Sequence, residues 1–279
     1  MPSFVSILIC AFACLQAASQ TQSAPSNNAA AATPAADLRP VVVELFTSEG
    51  CSSCPPADVF LQNLDKFQPI PGAQLIVLSE HVTYWDQQGW KDPNSSQVLT
   101  DRQSDYDSSL GEKESFTPQV IVDGEHELRL ATPPQQVKDV LQQARDEAKI
   151  PVQISGAVVD PGNPAVLRAH VDAGENSTKH NADVYVALVL GHVESQVLKG
   201  ENGGRHLVHV AVVQKITKIG KLQKGKSFAD DVQLKLTPAE DPKNLRVIAF
   251  VQESTQLSDP SPHLGPGKIL GAAQLKLAN

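Results

Sequence analysis

The chain has 279 residues, 41% hydrophobic and 19% charged, which is apolar enough to bury a large core and long enough for two domains. Its 23 Lys and Arg against 31 Asp and Glu give a formal net charge of -8. That balance carries no electrostatic footprint for nucleic acid or an anionic membrane, and it excludes those partner classes.

The first element in chain order is an uncharged apolar run over 4–18, FVSILICAFACLQAA. It is shorter than the roughly 20 residues needed to span a bilayer and it ends in small residues. Residues 1–18 therefore read as a cleavable signal peptide, which predicts a periplasmic or secreted protein with no stable membrane insertion after cleavage. Cleavage removes Cys10 and Cys14, so four cysteines become two, Cys51 and Cys54. A lone CxxC in an exported chain is oxidisable, whereas cysteine-based zinc sites usually draw on two such pairs or on histidine partners. Residues 19–39, rich in Ala, Ser, Pro, Asn and Thr without helical or strand period, predict a disordered linker.

From Val41 the element types alternate. VVVELF (41–46) predicts a buried strand, and PPADVFLQNLDKF (55–67) a helix opened by prolines, with apolar positions at Val59, Phe60, Leu64 and Phe67. Residues 73–82 predict a second strand, 95–110 a polar helix, 118–124 a strand ending in an Asp-Gly turn, 126–130 a short strand, and 135–149 a helix with Val137, Val140, Leu141 and Ala144 on one side. Past Ile150, about seven strand-like runs are punctuated by Pro, Gly, Asn and Asp, the pattern of an all-β sandwich. The expected division is 40–150 and 151–279.

The order β-α-β-α-β-β-α, with CxxC opening the first helix and Thr117-Pro118 opening the third strand, resembles a thioredoxin fold. The blocks VVVELFTSEGCSSCPPAD, HVTYWDQQGWKDP, SFTPQVIVDG and GENGGRHLVHVAVVQ together resemble the DUF1223 family, exported bacterial proteins of undefined function with a thioredoxin-like domain. The fold class expected is thus an α/β thioredoxin-like domain followed by an all-β sandwich-like domain. The resemblance implies that the first two strands are parallel and the third antiparallel, which brings the cysteines, the loop 81–93 and Thr117-Pro118 to one sheet edge.

A thiol at a helix start meets the positive end of the helix dipole and free backbone N–H groups, both of which favour thiolate. This makes Cys51 the candidate nucleophile and Cys54, one turn on, the resolving thiol. A cis Pro118, implied by the thioredoxin likeness, would hold the Thr117 backbone beside the sulfurs for a substrate strand. The loop 79–93 concentrates Tyr84, Trp85 and Trp90, a candidate rim for an extended partner. Accessory candidates are Glu44, one residue further from the first cysteine than the buried acid of thioredoxins, and His81. From the fourth block come Glu201 and Arg205, with Asn202 and His209, as a polar patch docking toward that edge or toward a ligand; a plain hairpin turn at 200–204 is the alternative.

The function expected is thiol-disulfide exchange on protein thiols or with a redox partner protein, without a cofactor. Two other readings stay open: a binding protein with a structural CxxC disulfide, and a metal-binding protein using the cysteines and His81. Whether the chain is an enzyme is thereby left open.

Overall fold

The computed structural model describes Met1 and residues 38–129, 131–237, 240–256 and 264–277. The expected signal segment and most of the 19–39 linker lie outside the described residues, as does Leu130 at the end of the expected 126–130 strand. Among the described residues no helix is long and apolar enough to cross a membrane.

The first half places its elements close to the expected positions: β1 (Arg39–Thr47), α1 (Pro55–Phe67), β2 (Ala73–His81), α2 (Gln97–Leu110), β3 (Gln119–Val122), β4 (His126–Leu128) and α3 (Pro134–Asp146). β1 and β2 are parallel, with Val43 opposite Val77, and β3 is antiparallel to β1, with Val43 opposite Val122. The β3–β4 turn uses Asp123 and Gly124, both at positive φ (47° and 75°), the backbone of a tight hairpin. Helix α1 turns part of the expected set inward, with Leu64 buried and Phe60 packed against the core. Val59 and Phe67 are exposed, while Ala57, Asp58, Leu61 and Leu64 are buried, because the Thr47 hydroxyl donates to Asp58 and holds that carboxylate inside.

The second half contains β5 (Val152–Asp160), β6 (Asn163–Ala173), β7 (Ala182–Gln196), β8 (His206–Leu222), β9 (Phe228–Lys235), β10 (Leu245–Gln256) and β11 (Leu264–Lys276). All seven runs form strands, but their arrangement overturns the expected fold class. There is no α/β thioredoxin-like domain followed by an all-β sandwich-like domain. The chain is mostly β, with three α-helices among the described residues and one mixed eight-stranded sheet in the order β11-β10-β7-β8-β2-β1-β3-β4. Strands β5, β6 and β9 form a separate three-stranded sheet.

The physical reason lies at β2 and β8. Left alone, β2 would be an exposed edge, and exposed edges invite pairing. β8 runs parallel beside it, with Ser79 opposite Val212, so the sheet continues past residue 150. The runs in β7 and β10 carry the same message. Val184, Val186 and Leu188 of β7, with Val247 and Ala249 of β10, face a core shared with Leu167, Val171 and Leu234 of the small sheet. The alternate residues Ala187, Val189, Ile248 and Phe250 join the core that α1 and α3 cover. A strand buried on both faces reads as a near-continuous apolar run, which is what ADVYVALVL is. At the far end, β11 returns toward the first strands, where the Ile269 N–H donates to the Asp123 carbonyl at 2.8 Å.

Candidate functional site

Cys51 and Cys54 are joined in a disulfide with a Cα–Cα separation of 5.4 Å. The chain leaves β1 at Thr47 and turns tightly, with the Cys51 N–H on the Ser48 carbonyl and the Cys54 N–H on the Cys51 carbonyl. Cys54 then caps α1, and Pro55 and Pro56 fill its first two positions. Those prolines lack N–H groups, and the N–H groups of Ala57 and Asp58 return to the Cys54 carbonyl. The helix start therefore offers a thiolate fewer free donors than a helix without these prolines would. Nearby, the Ser53 hydroxyl lies 3.3 Å from the Cys51 sulfur.

Three separated segments meet here. The Thr117–Pro118 peptide is cis, and the Thr117 carbonyl oxygen lies 3.9 Å from the Cys51 sulfur. The Trp85 indole N–H donates to the Thr117 hydroxyl at 2.7 Å, tying the aromatic loop to the strand start. Tyr84 donates to the Gln103 amide oxygen, and burial pushes its phenol up to about 12, against hydrogen bonds with Thr117 and Gln103 that lower it. Trp90 is occupied differently, donating to Glu49 at 2.7 Å.

Behind the disulfide, on the α1 face of the sheet, lies a buried polar cluster. Side chains alternate along a strand, so Thr47 shares a face with Leu45 and Val43 and meets Asp58 of α1. Its register partner His81 is fully buried and sits 2.7 Å from Asp92 through Nδ1. Burial opposes charge on His81, but Asp92, with Asp58 and Glu49 beyond, outweighs it and raises the imidazole above its ordinary value. Burial likewise opposes charge on Asp92, yet His81 and the N–H groups of Glu49 and Asn94 bring its carboxyl down to about 2. The His81 ring meets the His209 ring edge-on at 4.8 Å. His209, from β8, stands between Asp58 (3.6 Å from Nδ1) and Glu49 (3.9 Å from Nε2), beyond hydrogen-bonding reach of either. Both His209 ring nitrogens, Glu49 Oε1 and His81 Nε2 are thus buried without a hydrogen-bond partner.

Glu44 falls on the opposite face. It is fully buried and accepts from Arg102 Nε at 2.9 Å and from the Tyr106 hydroxyl, both on α2. Gln252 of β10 donates to the Tyr106 oxygen at 2.7 Å, so this network bolts α2 and β1 to the second half of the chain. Glu80 joins it 3.6 Å from Arg102, and burial together with the neighbouring Glu44 raises its carboxyl well above the usual range. Glu44 is thus held with α2 and separated by the sheet from the CxxC helix.

The β7–β8 connection covers the disulfide. It is a hairpin turn, and its tip also docks: Glu201 accepts from the Ser52 N–H at 3.3 Å, and buried Asn202 donates to the carbonyls of Glu49 (2.9 Å) and Cys51 (2.8 Å). Arg205 is exposed, and its backbone rather than its side chain holds the turn, through Val197 and Gln196. Both cysteines are consequently fully buried, while Ser52 and Ser53 are exposed.

The structure therefore brings together Cys51, Cys54, Thr117, Pro118, Trp85, Glu201 and Asn202, sets Trp90, His81 and His209 just behind, and leaves Glu44 and Arg205 apart. Glu49 and Asp58 were not singled out from the sequence. Their spacing was the available signal: Glu49 stands two residues before Cys51, and Asp58 four after Cys54, on the same helical face. As for ligand geometry, Glu125, His126 and Glu147 form the one trio among the described residues whose donor atoms lie within 4.8 Å of one another, and Lys268 sits between its two carboxylates.

Such features define a predominantly β protein that carries a sheltered CxxC disulfide against a cis-proline. The chain belongs to the DUF1223 family, a family of proteins of unknown function, whose model matches residues 42–252. It is similar to a protein of Agrobacterium tumefaciens known from its X-ray crystal structure, at 26% identity and a TM-score of 0.63, covering 85% of this chain and 94% of that one. The sporulation control protein Spo0M of Bacillus subtilis aligns at 12% identity and a TM-score of 0.24 over 39% of this chain and 43% of that one, too remote to inform fold or function. No curated protein matches the chain.

Proposed function

We propose that the chain is an exported thiol-disulfide oxidoreductase acting on protein thiols, with Cys51 as nucleophile and Cys54 as resolving thiol. The observation that carries this reading is the Thr117 carbonyl 3.9 Å from the Cys51 sulfur at the start of β3, where an extended substrate segment can pair with the backbone. In the reduced protein the Cys51 thiolate attacks one sulfur of a substrate disulfide and expels the other as a thiolate. The Cys54 thiolate then attacks the Cys51 sulfur, breaks the mixed disulfide, releases the second substrate thiolate and restores the Cys51–Cys54 bond.

The surroundings favour a direction. Glu49 stands two residues before Cys51, Asp58 four after Cys54, and Glu201 accepts from the N–H of Ser52 between the two cysteines, and nearby negative charge disfavours thiolates. A dithiol whose reduced form is not stabilised gives up its electrons readily, so the protein is assigned to reducing substrate disulfides, with a thiol donor protein to recharge it. Trp85 and Tyr84 are assigned to the substrate rim, and Trp90 to holding Glu49.

Reduction of insulin disulfides by the protein, with dithiothreitol as electron source, tests this. Activity is expected to fall at least a hundredfold in Cys51→Ser, and undiminished activity in that variant would refute the assignment. Complete burial of both cysteines favours a second reading, an interaction protein with a permanent disulfide; in that case wild type and variant are equally inactive.

A further inference from the structure

The tip of the β7–β8 hairpin meets the CxxC loop with a backbone-like set of hydrogen bonds. The Asn202 amide offers N–H donors to the carbonyls of Glu49 and Cys51, and the Glu201 carboxylate accepts from the Ser52 N–H. Alternating donors and acceptors of this kind are what an extended polypeptide presents to an unpaired loop edge. Asn202 is fully buried against that edge, although it comes from a turn whose neighbours Gly200, Glu201, Gly203 and Gly204 are exposed.

The tip is also built as a unit. Its N–H groups close on its own carbonyls, Gly203 to Gly200, Arg205 to Asn202 and Gly204 to Val197. Gly200 and Gly204 both adopt positive φ (75° and 84°), backbone that glycine takes without strain. Gly200 rests on the aromatic loop, where a Cβ would stand 3.2 Å from the Trp90 Cβ. The tip therefore touches the CxxC loop and, at Trp90, the same loop that carries the Trp85 and Tyr84 rim assigned above to substrate.

We infer that the 198–204 tip is a cap that occupies the place of a substrate backbone, held shut by Asn202 and Glu201, and that a protein segment gains access to the disulfide by displacing it. The ligand it excludes is an extended polypeptide with free N–H groups for the Glu49 and Cys51 carbonyls and a carbonyl for the Ser52 N–H. The inference rests on the oxidoreductase reading for the identity of that ligand, and on geometry alone for the cap. Displacement moves the hairpin tip and leaves the strands of the sheet in place, since the contacts that break are those of Asn202, Glu201 and Gly200.

The cap is tested without any protein substrate. The oxidised protein is reduced with tris(2-carboxyethyl)phosphine, a small reductant, and the appearance of free Cys51 and Cys54 thiols is timed by acid quench, alkylation and mass measurement. Asn202→Ala is expected to be reduced at least tenfold faster than wild type and Glu201→Ala about threefold faster. Arg205→Ala, whose side chain does not touch the CxxC loop, is expected to match wild type. Should Asn202→Ala fail to fold, judged by its circular dichroism, the exposed Glu201→Ala decides the matter. Wild-type rates in both cap variants overturn the cap.

Failure of the cap and failure of the oxidoreductase reading separate cleanly. Faster phosphine reduction in the cap variants without insulin reduction by any form leaves the cap standing and removes the enzyme. Insulin reduction that depends on Cys51, with cap variants reduced at the wild-type rate, does the reverse.

Discussion

His81 and Asp92 face each other at 2.7 Å in a place where water cannot reach them, and the strength of their pairing depends on pH. The Asp92 carboxyl is lowered from 3.8 to about 2, so its contribution to stability is present above about pH 4 and is lost as the pH falls toward 2. The His81 imidazole is raised above 6.5, so its contribution is present below that value and is lost as the pH rises through its raised native value. The pair stabilises most between about pH 4 and 6.5. Replacing Asp92 by Asn is expected to cost about 2 kcal/mol at pH 5.5, the equivalent of moving a carboxyl from 3.8 to about 2, with a smaller cost near pH 2 and above neutrality. Urea unfolding across that range checks it; a cost independent of pH would count against the ion pair. At this scale the sequence showed the chemistry of each residue and not its company. Cys51, Cys54 and Thr117-Pro118 were legible because motif and strand order place them, whereas Glu44 looked like an accessory to the thiols. Only its strand register, with Arg102 and Tyr106 waiting on the α2 side, shows that it serves packing on the other face.

Elements formed where local chemistry dictated. Prolines opened α1 and α3, glycine closed α2 at Gly111 with φ 80°, and the Asp123-Gly124 turn linked β3 to β4. The Asp-Gly turn carries a constraint that local sequence does not reveal. Gly124 has φ 75°, and a Cβ there would overlap the carbonyl oxygen of Gly267 on β11. Gly124→Ala is expected to destabilise by about 3 kcal/mol, combining left-handed strain with the displacement of β11. Thermal unfolding checks this. Gly111→Ala serves as the control, since it has similar positive φ but open space around the added carbon, and should cost only about 1 kcal/mol. Helix α1 shows the limit of periodicity: of its apolar positions Phe60 and Leu64 pack inward as expected, while Val59 and Phe67 stay exposed and the polar Asp58 is buried in their stead.

For the whole molecule, the junction of β2 with β8 and the Arg102–Gln252–Tyr106 network tie the first half of the chain to the second. The described residues from Leu38 to Leu277 accordingly form one compact unit. Unfolding is expected to be a single cooperative transition. Both tryptophans lie in the 81–93 loop, while the longest strands lie past residue 150, so fluorescence reports one half and far-ultraviolet circular dichroism weights the other. Coincident urea curves from the two probes are expected; a separation of midpoints by more than about 0.5 M, at the slopes usual for urea, would show that the halves unfold apart.

The sequence by itself determined which segments become strands and helices, that only two cysteines lie past the signal-like run and stand at a helix start, and which family the chain resembles. These are local properties, written in side-chain period, turn residues and short motifs. Tertiary structure alone decided that β8 seals the edge of β2, that one sheet runs through both halves, and that Asn202 reaches back some 150 positions to close over Cys51. Strand pairing between distant segments depends on complementary edges and shared burial, and two runs of alternating apolar residues look alike whichever neighbour they will find.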